Sequence, residues 1–172
     1  MGLNPKEYIR KYLGQPSAFE IRICSIRFLE FIKDHLIWEN YKGSIQKYKN
    51  SKTKTYSVRL KYKLENYSHE FLLGFVRGLM DTDGFVKSNN IGCGVVSKKL
   101  IQNLEKILLK NEIITNIKVI KRPPNRRDLY LLIINKTYLN IYSEKIGFSN
   151  IRKNNELLKI LVKMRPPGFE FP

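Results

Sequence analysis

The sequence predicts an α+β fold built by internal duplication, and three observations carry that reading: an order of elements that occurs twice, hydrophobic spacing that switches between strand and helix periods, and Ser, Pro and Gly signals where the spacing changes. Asn4 followed by Pro5 forms an N-cap and first-turn pair, so the segment through Leu13, with Gly14 just beyond, is expected to be a short helix. Phe19, Ile21 and Ile23 alternate with Glu20 and Arg22, the period of a strand. Ser25 then opens an amphipathic helix whose Phe28, Leu29, Ile32 and Leu36 share one face. Residues 43–49 and 55–63 are expected strands around a lysine-rich tip, the second with Tyr56, Val58, Leu60 and Tyr62 on one face and Ser57, Arg59, Lys61 and Lys63 on the other.

After a central helix over residues 69–81 the order returns. A strand from Ile91 to Val96 precedes Ser97 and a helix carrying Leu100, Ile101, Leu104, Ile107 and Leu108, and strands over 117–121 and 129–135 follow. The repeat spacing is about 70 residues. Residues 1–68 are read as a degenerate first repeat, 69–150 as a second repeat with a motif helix, and 151–172 as a C-terminal helix and tail.

A chain of 172 residues that is 42% hydrophobic can bury a core, which excludes wholesale disorder. Its 32 Lys and Arg against 15 Asp and Glu leave a net charge of +17, which concentrates polyanions at the surface. The excess collects at the two expected hairpins. Residues 42–63 hold eight Lys or Arg and no acid, and residues 117–136 hold six with only Asp128 opposing them. A two-stranded ribbon fits the DNA major groove, so Lys47, Lys49, Lys54, Arg59, Lys61 and Lys63 in one hairpin, and Lys118, Lys121, Arg122, Arg126 and Arg127 in the other, are candidate nucleic-acid contacts. Lysine can also merely solubilise an exposed hairpin; its occurrence on two equivalent hairpins favours the nucleic-acid reading. The start carries no apolar signal-peptide core and no stretch is long enough for a membrane span, so an intracellular protein of the cytoplasm or an organelle, without membrane contact, is expected. Cys24 and Cys93 lie in apolar runs as small buried side chains, and His35 and His69 lack ligand-spaced partners.

The chemistry-bearing residues lie between Phe71 and Val86. Gly74 and Gly78 fall on one helix face, where glycine costs about 1 kcal/mol relative to alanine, so a close helix-to-helix approach is expected there. Asp81 and Asp83 come where that helix ends, and Gly84 permits the turn into a strand. Carboxylates at a helix C-terminus face its negative end, an unfavourable arrangement that a divalent cation offsets; Mg²⁺, or another divalent ion, suits a few carboxylates plus a substrate phosphate.

Val76-Arg77-Gly78-Leu79-Met80-Asp81-Thr82-Asp83-Gly84 resembles the LAGLIDADG motif of homing endonucleases and RNA maturases, with Gly78, Leu79, Met80, Asp81, Asp83 and Gly84 matching in place. The resemblance implies two pseudo-symmetric αββαββα repeats, the first truncated, forming a saddle of antiparallel sheets over DNA. It implies that Asp83 binds a divalent ion at a scissile phosphate, with the Thr82 carbonyl a lesser ligand and Asp81 a supporting acid. It places an assisting lysine near the end of the fourth strand, at Lys136, with Lys63 or Lys61 in the first repeat. The implied activity is metal-dependent hydrolysis of a long asymmetric or pseudo-palindromic duplex site, the kind that mobilises an intron or intein. A homodimer or partner chain would join through Gly74 and Gly78. The alternative is a non-cleaving DNA- or RNA-binding protein of the same fold.

Asp81-Thr82-Asp83-Gly84-Phe85-Val86 also resembles the nucleophile motif of haloacid-dehalogenase-type phosphatases. Those sites put the first Asp at the end of a parallel strand and need further acids downstream, whereas here two glycines at helical spacing precede it and Glu105, Glu112 and Glu144 stand alone. The first half of the chain departs from the LAGLIDADG pattern. Aligning Tyr8 to Phe19 on Phe75 to Val86 puts Lys11, Gly14 and Pro16 where Gly78, Asp81 and Asp83 stand. It also shortens the interval to the next serine from fourteen residues to nine, so the first repeat is expected to lack both its motif acid and its first strand. Double-strand cleavage in the family draws one carboxylate from each of two motif helices.

Overall fold

The computed structural model describes residues 5–12, 15–23, 26–37, 58–123 and 128–164. The chain forms two compact units, Met1–Leu36 and Ile37–Pro172, a division by compactness distinct from the repeat boundary at 68/69.

In the first unit, strand β1 (Pro5–Tyr12) pairs antiparallel with β2 (Gln15–Ile23), and helix α1 (Ile26–His35) follows. Where a helix is expected from Asn4 to Leu13, the described residues Pro5–Tyr12 form a strand. An isolated helix of so few residues is marginal in water, and Tyr8, Ile9 and Tyr12 suit a pleated surface; pairing such as Ile9 with Phe19 and Glu7 with Ile21 overrides the local capping signal. Pro5 takes the first strand position, where its missing N–H does least harm. Lys11 and Pro16 thus lie in the two strands of a hairpin and are not counterparts of Gly78 and Asp83 on a helix. Hairpin followed by helix is the order of the later half of the chain, so what lacks a counterpart among the described residues of this unit is the motif helix, not the first strand.

The second unit contains α2 (His69–Thr82), β3 (Gly84–Lys87), β4 (Asn90–Val95), α3 (Lys98–Lys110), β5 (Thr115–Ile120), β6 (Leu129–Asn135), α4 (Leu139–Lys145) and α5 (Ile151–Met164). From α2 to α4 this is one complete αββαββα repeat, and its strands form an antiparallel sheet in the order β3-β4-β6-β5. Alternation sorts the sheet faces: Ile91 pairs with Ile134 and Cys93 with Leu132, and all four are fully buried. Leu100, Ile101, Leu104, Ile107 and Leu108 of α3 are buried with them, along with Val76 and Met80 of α2 and Leu139 and Tyr142 of α4. The opposite face carries Phe85, Lys87, Lys118, Leu131 and Ile133, which are half-buried or exposed.

Ser97 caps α3, its hydroxyl accepting from the Leu100 N–H at 3.2 Å and donating to the Val58 carbonyl at 2.6 Å, so it ties the incoming chain to the helix start. The strand expected over residues 55–63 is reduced to Arg59–Leu60 among the described residues, and a 3₁₀ turn follows at Leu64–Asn66. The Tyr67 hydroxyl accepts from the N–H groups of both Lys61 and Tyr62 at 3.1 Å, so these two residues do not extend the strand. Lys47, Lys49 and Lys54 fall outside the described residues, as do Arg126 and Arg127. No helix among the described residues is long and apolar enough to cross a membrane.

Candidate functional site

Ser68 caps the motif helix α2, accepting from the Phe71 N–H at 3.2 Å. Two faces of that helix differ. Val76 and Met80 enter the core, and Arg77 donates through Nε to the Ile146 carbonyl at 2.6 Å, fixing the helix against the loop after α4. Gly74 and Gly78 lie on the other side, exposed, and a methyl group added at either would meet nothing within 4 Å among the described residues. The close helix approach expected there is not supplied by the described residues. Gly84 is the glycine that geometry demands, since a β-carbon there would stand 2.2 Å from the Met80 carbonyl oxygen. Gly84→Ala is expected to lower stability by about 3 kcal/mol in chemical denaturation, because the clash is with backbone that cannot step aside. Gly78→Ala is expected to raise it by about 1 kcal/mol in the monomer, through helix propensity alone.

The end of α2 and the start of α5 cap one another. The two oxygens of the Asp81 carboxylate accept from the backbone N–H groups of Ser149 at 3.2 Å and Asn150 at 3.1 Å, just before α5 begins. Negative charge at a helix N-terminus is favourable, so Asp81 is held by the dipole of α5. In return Lys153, on the first turn of α5 and only 4% exposed, donates through Nζ to the carbonyls of Met80 at 2.9 Å, Asp81 at 2.8 Å and Thr82 at 3.4 Å. A buried ammonium thus satisfies the carbonyls a helix C-terminus leaves unpaired. Burial pushes the Lys153 ammonium below the usual lysine range, Arg152 adds to that, and Asp81 and Asp83 pull it back up.

Asp83 follows as the residue that ends α2, its N–H bonded to the Leu79 carbonyl at 2.9 Å. Its side chain is exposed, and among the described residues its carboxylate makes no hydrogen bond or ion pair. Its field is felt inside: burial first, and Asp83 second, push the Cys93 thiol up to about 12, an inert packing residue. The Thr82 hydroxyl donates back to the Gly78 carbonyl at 3.0 Å, so only the Thr82 carbonyl faces outward chemistry, and it already meets Lys153. No group of three or more His, Cys, Asp or Glu is clustered among the described residues. At this helix end the exposed Asp83 carboxylate is the group that could hold a divalent ion.

The structure does not bring Lys136 to these acids. Asn135 pairs with Asn90, whereas Gly84 pairs with Cys93 three residues further along β4, so these two positions stand roughly 10 Å apart along the strands and Lys136 lies beyond the first of them. The cation found beside these acids is Lys153, buried against the end of α2, and sequence reasoning missed it; the only signal was Asn150, whose side chain accepts from the Lys153 N–H at 3.2 Å as an ordinary N-cap. Of the expected nucleic-acid contacts, Lys118 lies on the open sheet face, joined there by the unforeseen Lys87, whose Nζ sits 5.5 Å from the Phe85 ring centroid. Lys121 pairs with Asp128 at 2.7 Å across the β5–β6 hairpin, next to Arg122. Arg59 and Lys61 lie on the segment that packs on α3, and Lys63 lines a groove there. The first turn of helix α5 is part of this site through Lys153.

Comparison with known proteins adds to this geometry. The LAGLIDADG-like domain family matches residues 70–147. Three proteins of Methanocaldococcus jannaschii contain similar segments: glutamine–fructose-6-phosphate aminotransferase (29% identical over 150 residues, 83% of this chain), the replication factor C small subunit (30%, over 55% of this chain) and the probable translation initiation factor IF-2 (32%, over 67%). The chain spans only 13%, 5% and 10% of those proteins, respectively. Among solved structures, I-DmoI in complex with DNA and Mn has a similar fold, with a TM-score of 0.53 at 14% identity, over 84% of this chain and 64% of that one. The matched segment contains the motif helix, the sheet and the acids just described, and residues 70–147 form a LAGLIDADG-like domain.

Proposed function

We propose that the chain is a site-specific, divalent-metal-dependent DNA endonuclease of the homing type, acting inside the cell on a long duplex site. One observation carries this reading: Asp81 and Asp83, two residues apart, have been given different work. Asp81 is consumed by the N-terminus of α5, while Asp83 projects from the helix end with its carboxylate available. Duplex phosphates meet Lys87 and Lys118 on the open sheet face, and Asp83 would hold the divalent ion at a phosphate placed over the end of α2. When bound, that ion polarises the phosphodiester and stabilises charge developing on its oxygens. Lys153 holds the last turn of α2 in place, which fixes where Asp83 points. Similar segments within three proteins of unrelated names support a transferable module of the intron or intein kind.

Cutting both strands needs a second motif acid, and the exposed Gly74 and Gly78 face is where a second copy or a partner chain would bring one. The first unit, which opens on a hairpin among its described residues, favours a second reading in which the chain nicks or only binds DNA or RNA. Incubation of the full chain with a library of long duplexes and Mg²⁺, followed by sequencing of new ends, separates the two. Ends recurring at one sequence support the endonuclease; a sequence recovered bound and intact supports the binding protein.

Duplex affinity is expected to fall about a thousandfold between roughly 50 and 200 mM salt, as it does when about six or more phosphates are neutralised. A flat response in a filter-binding titration contradicts a phosphate-tracking surface.

A further inference from the structure

A groove of about 490 Å³ runs between the outer side of α3 and the loop after Arg59–Leu60, lined by Tyr62, Lys63, Leu64, Lys106, Leu109 and Lys110. It lies in the size range of small-ligand sites. Helix α3 covers the buried face of the sheet, so the groove opens away from Lys87 and Lys118 and is separate from the duplex surface proposed above. We propose that this groove binds single-stranded nucleic acid, an unpaired base lying against Tyr62 while Lys63 and Lys106 meet the flanking phosphates.

The groove is held open by contacts that have no part in a strand or helix ladder. The Tyr67 hydroxyl bonds the N–H groups of Lys61 and Tyr62, the Asn103 side chain accepts from the Leu60 N–H at 3.3 Å, and Lys110 meets Glu65 at 3.2 Å across one end. Loop and helix are therefore fixed before any ligand arrives, which lowers the ordering cost of binding. Tyr62 is nonetheless 47% exposed and Leu109 60%, an unusual allowance of apolar surface beside three lysines and a single acid. Tyr62 is the one aromatic ring of the lining, with the Lys61 Nζ 5.2 Å from its centroid, and a ring set among cations is recognition chemistry for an unpaired base on a phosphate backbone. A paired duplex hides its base faces and cannot enter a groove of this size. The inference stands on these residues alone and does not depend on Asp83 or on cleavage.

The test is fluorescence anisotropy of short labelled oligo-dT and oligo-U on the full chain, with saturating unlabelled duplex present. Tyr62→Ala is expected to weaken oligomer binding by about tenfold, with Tyr62→Phe retaining it, because the ring and not the hydroxyl carries the stacking. Lys106→Glu, on an exposed helix position, is expected to weaken it without touching the fold. Binding of either oligomer that both Tyr62→Ala and Lys106→Glu weaken supports the proposal. Complete displacement by duplex, or oligomer affinity unmoved by both Tyr62→Ala and Lys106→Glu, overturns it. Oligomer binding that persists where no duplex binds would count against the endonuclease reading only.

Discussion

Asp83→Asn is expected to reduce Mg²⁺-dependent cleavage by about a thousandfold or more while leaving duplex affinity unchanged or slightly higher. The substitution keeps shape and removes the one motif carboxylate that makes no hydrogen bond or ion pair among the described residues. Losing a negative group beside the phosphates accounts for the gain in affinity. Asp81→Asn is expected to behave differently, costing about 1 kcal/mol of stability through its lost helix-terminal contacts and leaving the folded enzyme active. A phosphatase of the haloacid-dehalogenase type requires the reverse order, with Asp81 as nucleophile. Asp81 sits in the last turn of a helix, and the adjoining sheet is antiparallel, so the setting of that nucleophile is absent from the described residues. Rates on a cleaved site for the parent and both variants provide the check.

Lys153→Met is expected to cost about 2 kcal/mol, roughly 6 °C in melting temperature, since it keeps the length of the side chain but strands buried carbonyls at the end of α2. The loss arises from the unpaired carbonyls, not from an ion pair: Lys153 has backbone oxygens as its partners, and Asp81 is engaged elsewhere. Thermal unfolding of Lys153→Met beside Arg152→Met measures this directly. Arg152 pairs with Glu156 at an exposed position, where an ion pair contributes little, so its variant should melt close to the parent.

The motif was legible because it combines two signals that are local in sequence. Helical spacing of Gly74 and Gly78 and the stop at Gly84 gave the helix its bounds, and the structure ends α2 at Thr82 as the turn chemistry requires. Strands β4 and β6 and helix α3 followed from periodicity for the same reason. The first segment is misread from sequence because its capping signal is real but weaker than the hairpin it joins; pairing as distant as Pro5 with Ile23 leaves no mark in a local window. Lys153 was invisible for a related reason. A lysine on an amphipathic helix reads as solvent-facing, and only the docking of α5 against α2 turns it inward. The assisting lysine was sought by strand position at Lys136, whereas the register carries that residue to the far end of the sheet. Charge counting located basic segments but not their faces, so Lys87 was passed over and Lys63 was placed on a strand the structure turns into a groove wall.

The central claim is that two neighbouring acids divide the work, Asp83 for the metal and Asp81 for the fold. Electron paramagnetic resonance of Mn²⁺ added to the duplex-bound parent, Asp81→Asn and Asp83→Asn tests it most directly. Retention of the bound-Mn²⁺ signal by Asp81→Asn and its loss in Asp83→Asn are the predicted results; an undiminished signal in Asp83→Asn, or loss confined to Asp81→Asn, would contradict the assignment.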